Sequence, residues 1–344
     1  MSRRLLTVCA VVIAWLSSAS PGLGGQGLAV ASKPAAGGKA WTPPRTVDGQ
    51  PDLQGVWANN NATPLERPAA LAGKPFLTDA EVAALKTRAQ ELFGGDGDAA
   101  FGDDVFTAIV TGVNTFTSSD RTTGNYNQFW IADRDFDNRT SLVTEPADGR
   151  IPPMTPAAQQ RRAGANLDRA QRGSDGPEDR TLSERCITFG VPRVQAAYNS
   201  YIQIFQTRDH VAIVMETIHD ARIIPVSGRP HVGPKIRQYL GDSVGHWEGD
   251  TLVVDTTNYS PKSDFRGAHE QLHVVERFTR VSPNRIDYEV RIDDPTTWVR
   301  PWTAMIPLKR TDEAIYEYAC HEGNDGMAGI LEGARAEEKA ASGR

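Results

Sequence analysis

Hydrophobic and polar residues alternate most regularly in the second half of the chain. In Ile286-Asp-Tyr-Glu-Val-Arg-Ile-Asp293, Ile286, Tyr288, Val290 and Ile292 share one face and charged residues occupy most of the other. This is the period-two signature of a half-buried strand. The same reading predicts strands over 202–207, 210–217, 222–226, 243–247, 251–258, 272–281, 286–293, 302–311 and 315–321. Ser282-Pro283-Asn284-Arg285, Glu248-Gly249-Asp250 and Thr311-Asp312-Glu313 supply the turns between neighbours. Successive hairpins predict a mainly β fold, an antiparallel meander closing into a calycin- or lipocalin-like barrel, because closure removes exposed edges. A two-sheet sandwich fits the same periodicity.

The first half reads differently. Asp52-Leu53-Gln54-Gly55-Val56-Trp57 is a short first strand, and Thr78-x-x-Glu81 is a capping box opening a helix that Gly94-Gly95 stops. Asn127–Asp133 and Thr140–Thr144 suggest a strand pair, and Thr155-Pro156 has the N-cap and N1 pattern of a second helix. The chain thus divides into a signal peptide (1–31), an N-terminal extension with two short helices and few strands (32–185), an antiparallel β-barrel (186–322) and a C-terminal helix and tail (323–344).

The signal reading rests on Arg3 and Arg4, followed by a twelve-residue apolar run from Leu5 to Leu16. That run is shorter than the ~20 residues a membrane span needs. Ala29-Val30-Ala31 fits the small-x-small cleavage pattern, so a periplasmic or extracellular location with cleavage near Ala31 is expected. Cys186 and Cys320 then remain, and an oxidising compartment favours a disulfide between them. Closing so long a loop is worth roughly 5 kcal/mol in the chain-entropy model, less any strain. Two separate buried thiols are the alternative. The net charge of −6 includes Arg3 and Arg4. A mildly acidic surface argues against nucleic acid as a partner.

All seven histidines lie between His210 and His321. Titratable side chains concentrated on strands are what a binding or catalytic cavity needs. His219-Asp220-x-Arg222 follows a strong strand and suits an acid/base pair with a charge partner, or a solvated turn. Arg229, His231, Arg237 and Arg266 add donors that can hold an anionic group. In the segment Gly241–Asp255, Gly245 permits close backbone approach, and His246 and Glu248 share a face. Trp298 and Trp302, on a proline-stiffened loop, are candidates to roof a cavity. Tyr318 and His321 sit at the end of the last expected strand, beside Cys320.

His269-Glu270-Gln271-Leu272-His273 matches the zinc-protease pattern, which works only on a helix, where i and i+4 meet at about 6 Å. Here the second histidine opens an alternating β-branched run, and four strand residues span about 13 Å, too far for one zinc ion. No metal and no cofactor is therefore assigned. The absence of a Gly-rich phosphate loop, a C-x-x-C pair and a G-x-S-x-G elbow counts against a nucleotide-binding fold, a zinc ribbon and an α/β-hydrolase.

The motifs Pro51–Trp57, Asp148–Pro153, Glu184–Cys186, Ile218–Pro225, Gly228–His231, Gly241–Asp255 and Tyr316–Asn324 resemble those of a broad set of exported bacterial proteins of uncharacterised function. The resemblance implies export and a site in the second half, and carries no activity. Together these readings lead to an exported β-barrel protein that binds a small organic ligand in a cavity lined by His, Arg and Trp. The alternatives are an acid/base hydrolase, lyase or isomerase using His219, Asp220, His246, Glu248, His273 or His321, and a histidine-coordinated metal protein. No nucleic acid and no membrane span is expected.

Overall fold

The computed structural model describes residues 41–93, 103–112, 134–194 and 199–343. The segment read as a signal peptide and the strand expected at Asn127–Asp133 lie outside the described residues. The strands are β1 (Gly55–Ala58), β2 (Val143–Glu145), β3 (Tyr201–Gln206), β4 (His210–Met215) and β5 (Ala221–Pro225). They continue with β6 (Asp242–Glu248), β7 (Thr251–Thr257), β8 (His273–Ser282), β9 (Arg285–Asp293) and β10 (Trp302–Thr311). The helices are α1 (Asp79–Phe93), α2 (Asp103–Thr111), α3 (Pro156–Arg172) and α4 (Asp325–Ala341).

All ten strands form one antiparallel sheet in the order β5-β4-β3-β1-β10-β9-β8-β7-β6, with β2 also paired to β10. Turn chemistry sets the register of the hairpins: Glu248 faces Thr251 across Gly249-Asp250, and Ser282 faces Arg285. Gly249 takes a φ of 60°, which a two-residue hairpin turn requires and glycine adopts without penalty. The alternation then buries Leu252, Val254, Val274, Phe278, Ile286 and Ile292 on one face. Burying a large apolar side chain contributes roughly 1.5–3 kcal/mol, so these strands supply much of the core.

Two features depart from the sequence reading. Hydrogen bonds do not close the sheet into the expected barrel, because β5 and β6 are its two edges. These edges nevertheless lie side by side. Gly245 of β6 is so close to β5 that an added Cβ would stand 3.1 Å from Ile224 Cγ2 and 3.0 Å from Val226 Cγ1. The seam is therefore closed by side chains packed against a bare backbone. Second, residues 315–321 form no strand. β10 already pairs with β9 along one edge and with β1 and β2 along the other, so neither edge of β10 is free to pair with the residues that follow it. The chain turns away instead, and Cys320 bonds to Cys186.

The helix signals read as written. The side chain of Glu81 accepts from Thr78 N at 2.9 Å, and Thr78 Oγ1 accepts from Glu81 N at 3.3 Å, at the start of α1. Thr155 caps α3 by accepting from Ala158 N, and Asn324 caps α4 by accepting from Met327 N. No described helix is long and apolar enough to cross a membrane.

Candidate functional site

Arg222 is the centre of the buried polar structure. It points from β5 into the interior, where Nη1 donates to Glu276 Oε1 at 2.9 Å and Nη2 to Glu276 Oε2 at 2.5 Å. Nη2 also donates to Ser243 Oγ and Thr256 Oγ1, and Tyr288 OH donates to Glu276 Oε1 at 2.8 Å. The network thus spans β5, β6, β7, β8 and β9 across the seam that backbone bonds leave open. Burial works against the Arg222 charge, but the Glu276 carboxylate outweighs it and keeps the guanidinium protonated. Burial, reinforced by the charge of Glu276, pushes the Tyr288 phenol far above its usual range.

Two pockets meet at this arginine. The inner one, partly open and about 40 Å³, is walled by side chains including Ile202, Ile213, Met215 and Phe278, with Arg193 and Glu276 also in its lining. The second is a more polar cleft of about 520 Å³ at the seam, where Asp220, Arg229, Tyr239, Asp242 and Ser243 contribute to the walls. Asp220 is buried, and its Oδ2 accepts from Thr188 Oγ1 at 2.8 Å and Phe189 N at 3.0 Å. Burial raises its carboxyl above the ordinary aspartate value despite those bonds and the charge of Arg193. The turn presenting it is strained: Ile218 and His219 take φ of 55° and 46°, a conformation costly for a β-branched residue.

On the opposite face of the sheet a second charge chain runs along the surface. Arg229 Nη2 donates to Asp242 Oδ1 at 2.6 Å, and His231 bridges Asp242 Oδ2 and Asp255 Oδ1, each at 2.9 Å. His273 Nε2 bonds to Asp255 Oδ2 at 2.8 Å. Carboxylate oxygens only accept, so His231 satisfies both partners only when both ring nitrogens carry protons. Burial raises the Asp242 carboxyl, but the bonds from Arg229, Val232 N–H and His231 outweigh it and hold the group at about 2. The hydrogen bond to Asp255 raises the His273 imidazole above its ordinary value, against partial burial.

No protein-family model and no curated protein matches this chain. The site is therefore interpreted from its own chemistry.

Of the residues expected to act together, Asp220, Arg222 and Arg229 share the seam cleft. His231 and His273 meet on the outer chain, and His246 pairs with Glu248 at 3.0 Å on the same outer face. His219 and His321 are exposed, and His219, next to Asp220 in the chain, acts on that carboxyl through its charge. Arg237 donates to the carbonyls of Tyr259 and Glu270, fixing a loop. Arg266 is exposed with a φ of 55°, and Tyr318 is half-buried. Trp298 and Trp302 are buried, 5.7 Å apart edge to face, and both pack against Phe265. They are core residues and roof neither pocket. Among the described residues no three His, Cys, Asp or Glu side chains converge in a metal-holding group.

Sequence reasoning left out Arg193, Asp255 and Tyr288, and did not give Glu276 a role. Glu276 did carry a signal: it lies on the Val274–Phe278 face of β8, where a lone carboxylate among apolar residues needs a buried partner.

Proposed function

We propose that this protein is exported and binds a small organic molecule in the inner pocket beside Arg222, with the curved sheet and its side-chain seam serving as a barrel-like enclosure. One observation carries the reading. Four residues that line this pocket, Asn59, Arg193, Asn199 and Arg222, each have a buried side-chain polar atom without a hydrogen-bond partner. Buried polar atoms in native proteins are overwhelmingly paired, so their convergence on one partly open pocket with apolar walls supports a polar group arriving from outside. About 40 Å³ admits only a few atoms, so the reading is of a ligand that inserts one small end.

The test is calorimetry of the secreted protein against a panel of small organic acids, amides, alcohols and amines. Ile213→Phe narrows the pocket, and binding should fall at least about tenfold, or ~1.4 kcal/mol, while circular dichroism stays unchanged. Binding that ignores Ile213→Phe would place the ligand elsewhere.

A second reading, acid/base catalysis in the seam cleft, is supported by Asp220. Both of its bonds fall on Oδ2, its carboxyl is raised by burial, and the cleft beside it is large enough for a small substrate. Under that reading Asp220→Asn abolishes turnover with the fold retained; full activity in the variant would end it.

A further inference from the structure

The hydrogen-bonded ion pairs around the inner pocket leave one residue out. Arg222 is neutralised by Glu276 through two parallel bonds, the fork-to-fork geometry of a bidentate pair. Arg193 has no such partner. Its Nη2 reaches Thr217 Oγ1 only at 3.5 Å, its guanidinium lies 5.0 Å from the Phe189 ring centre, and its Nη1 has no hydrogen-bond partner. The Asp220 carboxylate acts on it through its charge, but Arg193 makes no ion pair among the described residues. A largely desolvated guanidinium without a hydrogen-bonded counter-charge is costly, and this one lines a pocket that combines polar groups with apolar walls.

We infer that the inner pocket recognises a monocarboxylate, whose carboxylate pairs with Arg193 and whose small apolar body packs against Ile202, Ile213, Met215 and Phe278. The inference rests on the pocket being the ligand site and adds the ligand's class.

Three features select that class. Of the charged groups in the lining, Arg222 and Glu276 pair with each other and Arg193 is left without a hydrogen-bonded carboxylate, which matches a monoanion and leaves a phosphate or sulfate dianion in excess. A planar guanidinium edge suits a planar carboxylate. The walls offer aliphatic and aromatic surface with few further donors, so the rest of the ligand gains by being apolar and small. Asn59 can turn its amide nitrogen toward the second carboxylate oxygen, because its two amide orientations are sterically alike.

The experiment is isothermal titration of the full secreted protein with acetate and propionate, each against its neutral amide, and with inorganic phosphate. The acids should bind at least about tenfold more tightly than the amides, a difference of ~1.4 kcal/mol, and phosphate should not compete. Arg193→Gln should bring each acid to within about twofold of its amide, while Arg193→Lys keeps part of the preference. Acid and amide binding alike to the unmodified protein would overturn the inference without recourse to any variant, as would phosphate binding that depends on Arg193. Amides bound in a manner sensitive to Ile213→Phe, with no preference for the acids, would sink the carboxylate assignment and leave the ligand pocket standing. Absence of binding by every compound in the panel would remove both.

Discussion

Strands β6, β7 and β8 meet a charged network on each of their two faces, and the two networks differ in almost every physical respect. On the inner face Arg222 and Glu276 have side chains only 5% and 2% exposed. On the outer face Arg229, His231, Asp255 and His273 remain between 27% and 43% exposed, with only Asp242 buried at 4%. The inner pair draws together strands that no backbone bond joins. The outer chain fastens the connection between β5 and β6, carrying Arg229 and His231, onto the sheet. The same residue types therefore serve opposite purposes, and exposure decides which: a buried pair must be complete to be tolerated, whereas a surface chain can lose a link and be rehydrated.

The largest test of that contrast is Glu276→Ala. It leaves the Arg222 charge buried and unpaired, and should cost about 3–5 kcal/mol in urea unfolding. Replacing both partners, Arg222→Met with Glu276→Leu, should recover most of that loss, because the penalty lies in the orphaned charge. A double variant as unstable as the single one would mean that the pair itself, rather than its completeness, holds the seam. Next in size is Gly245→Val, which forces side-chain atoms against Ile224 and Val226. Overpacking of this kind costs about 1–3 kcal/mol. It should also raise amide exchange in β6 before β8, and equal protection of the two strands would contradict a weak seam.

The outer chain should show itself in the pH profile instead. Asp242 sits at about 2 in the folded protein against an ordinary 3.8. Its contribution is therefore present above 3.8 and is lost as pH falls through about 2. His273 is raised above its ordinary 6.5, so its contribution is complete below 6.5 and is lost as pH rises through the raised value. Melting temperature should thus be highest between these limits. Asp255→Asn should abolish the alkaline decline while costing less than about 1 kcal/mol at its maximum, since the partners are half exposed. An unchanged alkaline limb would remove His273 from the account. Smallest is His246→Ala: this side chain is 57% exposed and, among the described residues, bonds only to Glu248, and its loss should stay within about 0.5 kcal/mol.

The same contrast explains what could be seen in the sequence. The hairpins from β6 to β10 were legible because alternation and turn residues are local, and Cys186–Cys320 because compartment and number leave few pairings. Placement of β1 was not legible. Val56 pairs with both Thr311 and Gln203, and nothing in a four-residue strand names partners so far along the chain. Residues 315–321 misled because alternation reports a face, whereas a strand also needs a free edge. Trp298 and Trp302 misled because an aromatic pair on a loop has one signature whether it covers a cavity or fills the core. At the site, Arg222 and Asp220 were found through their motif. Arg193 was missed, since a single arginine before a polar connection carries no pattern of its own.

The position of β1 has a consequence in time. The Cys186–Cys320 bond closes a covalent ring across 134 positions, and β3 and β10 both belong to that ring while β1 does not. The strand synthesised before β3 and β10 is thus a slat slid between two strands of a hoop whose parts appear later. Until they do, Gly55–Ala58 lacks the strands it pairs with, and its exposed backbone can be answered by any other extended chain. A copy of this short segment supplied from outside would compete for the same slot, which makes an early strand of the nascent chain wait for the late ones.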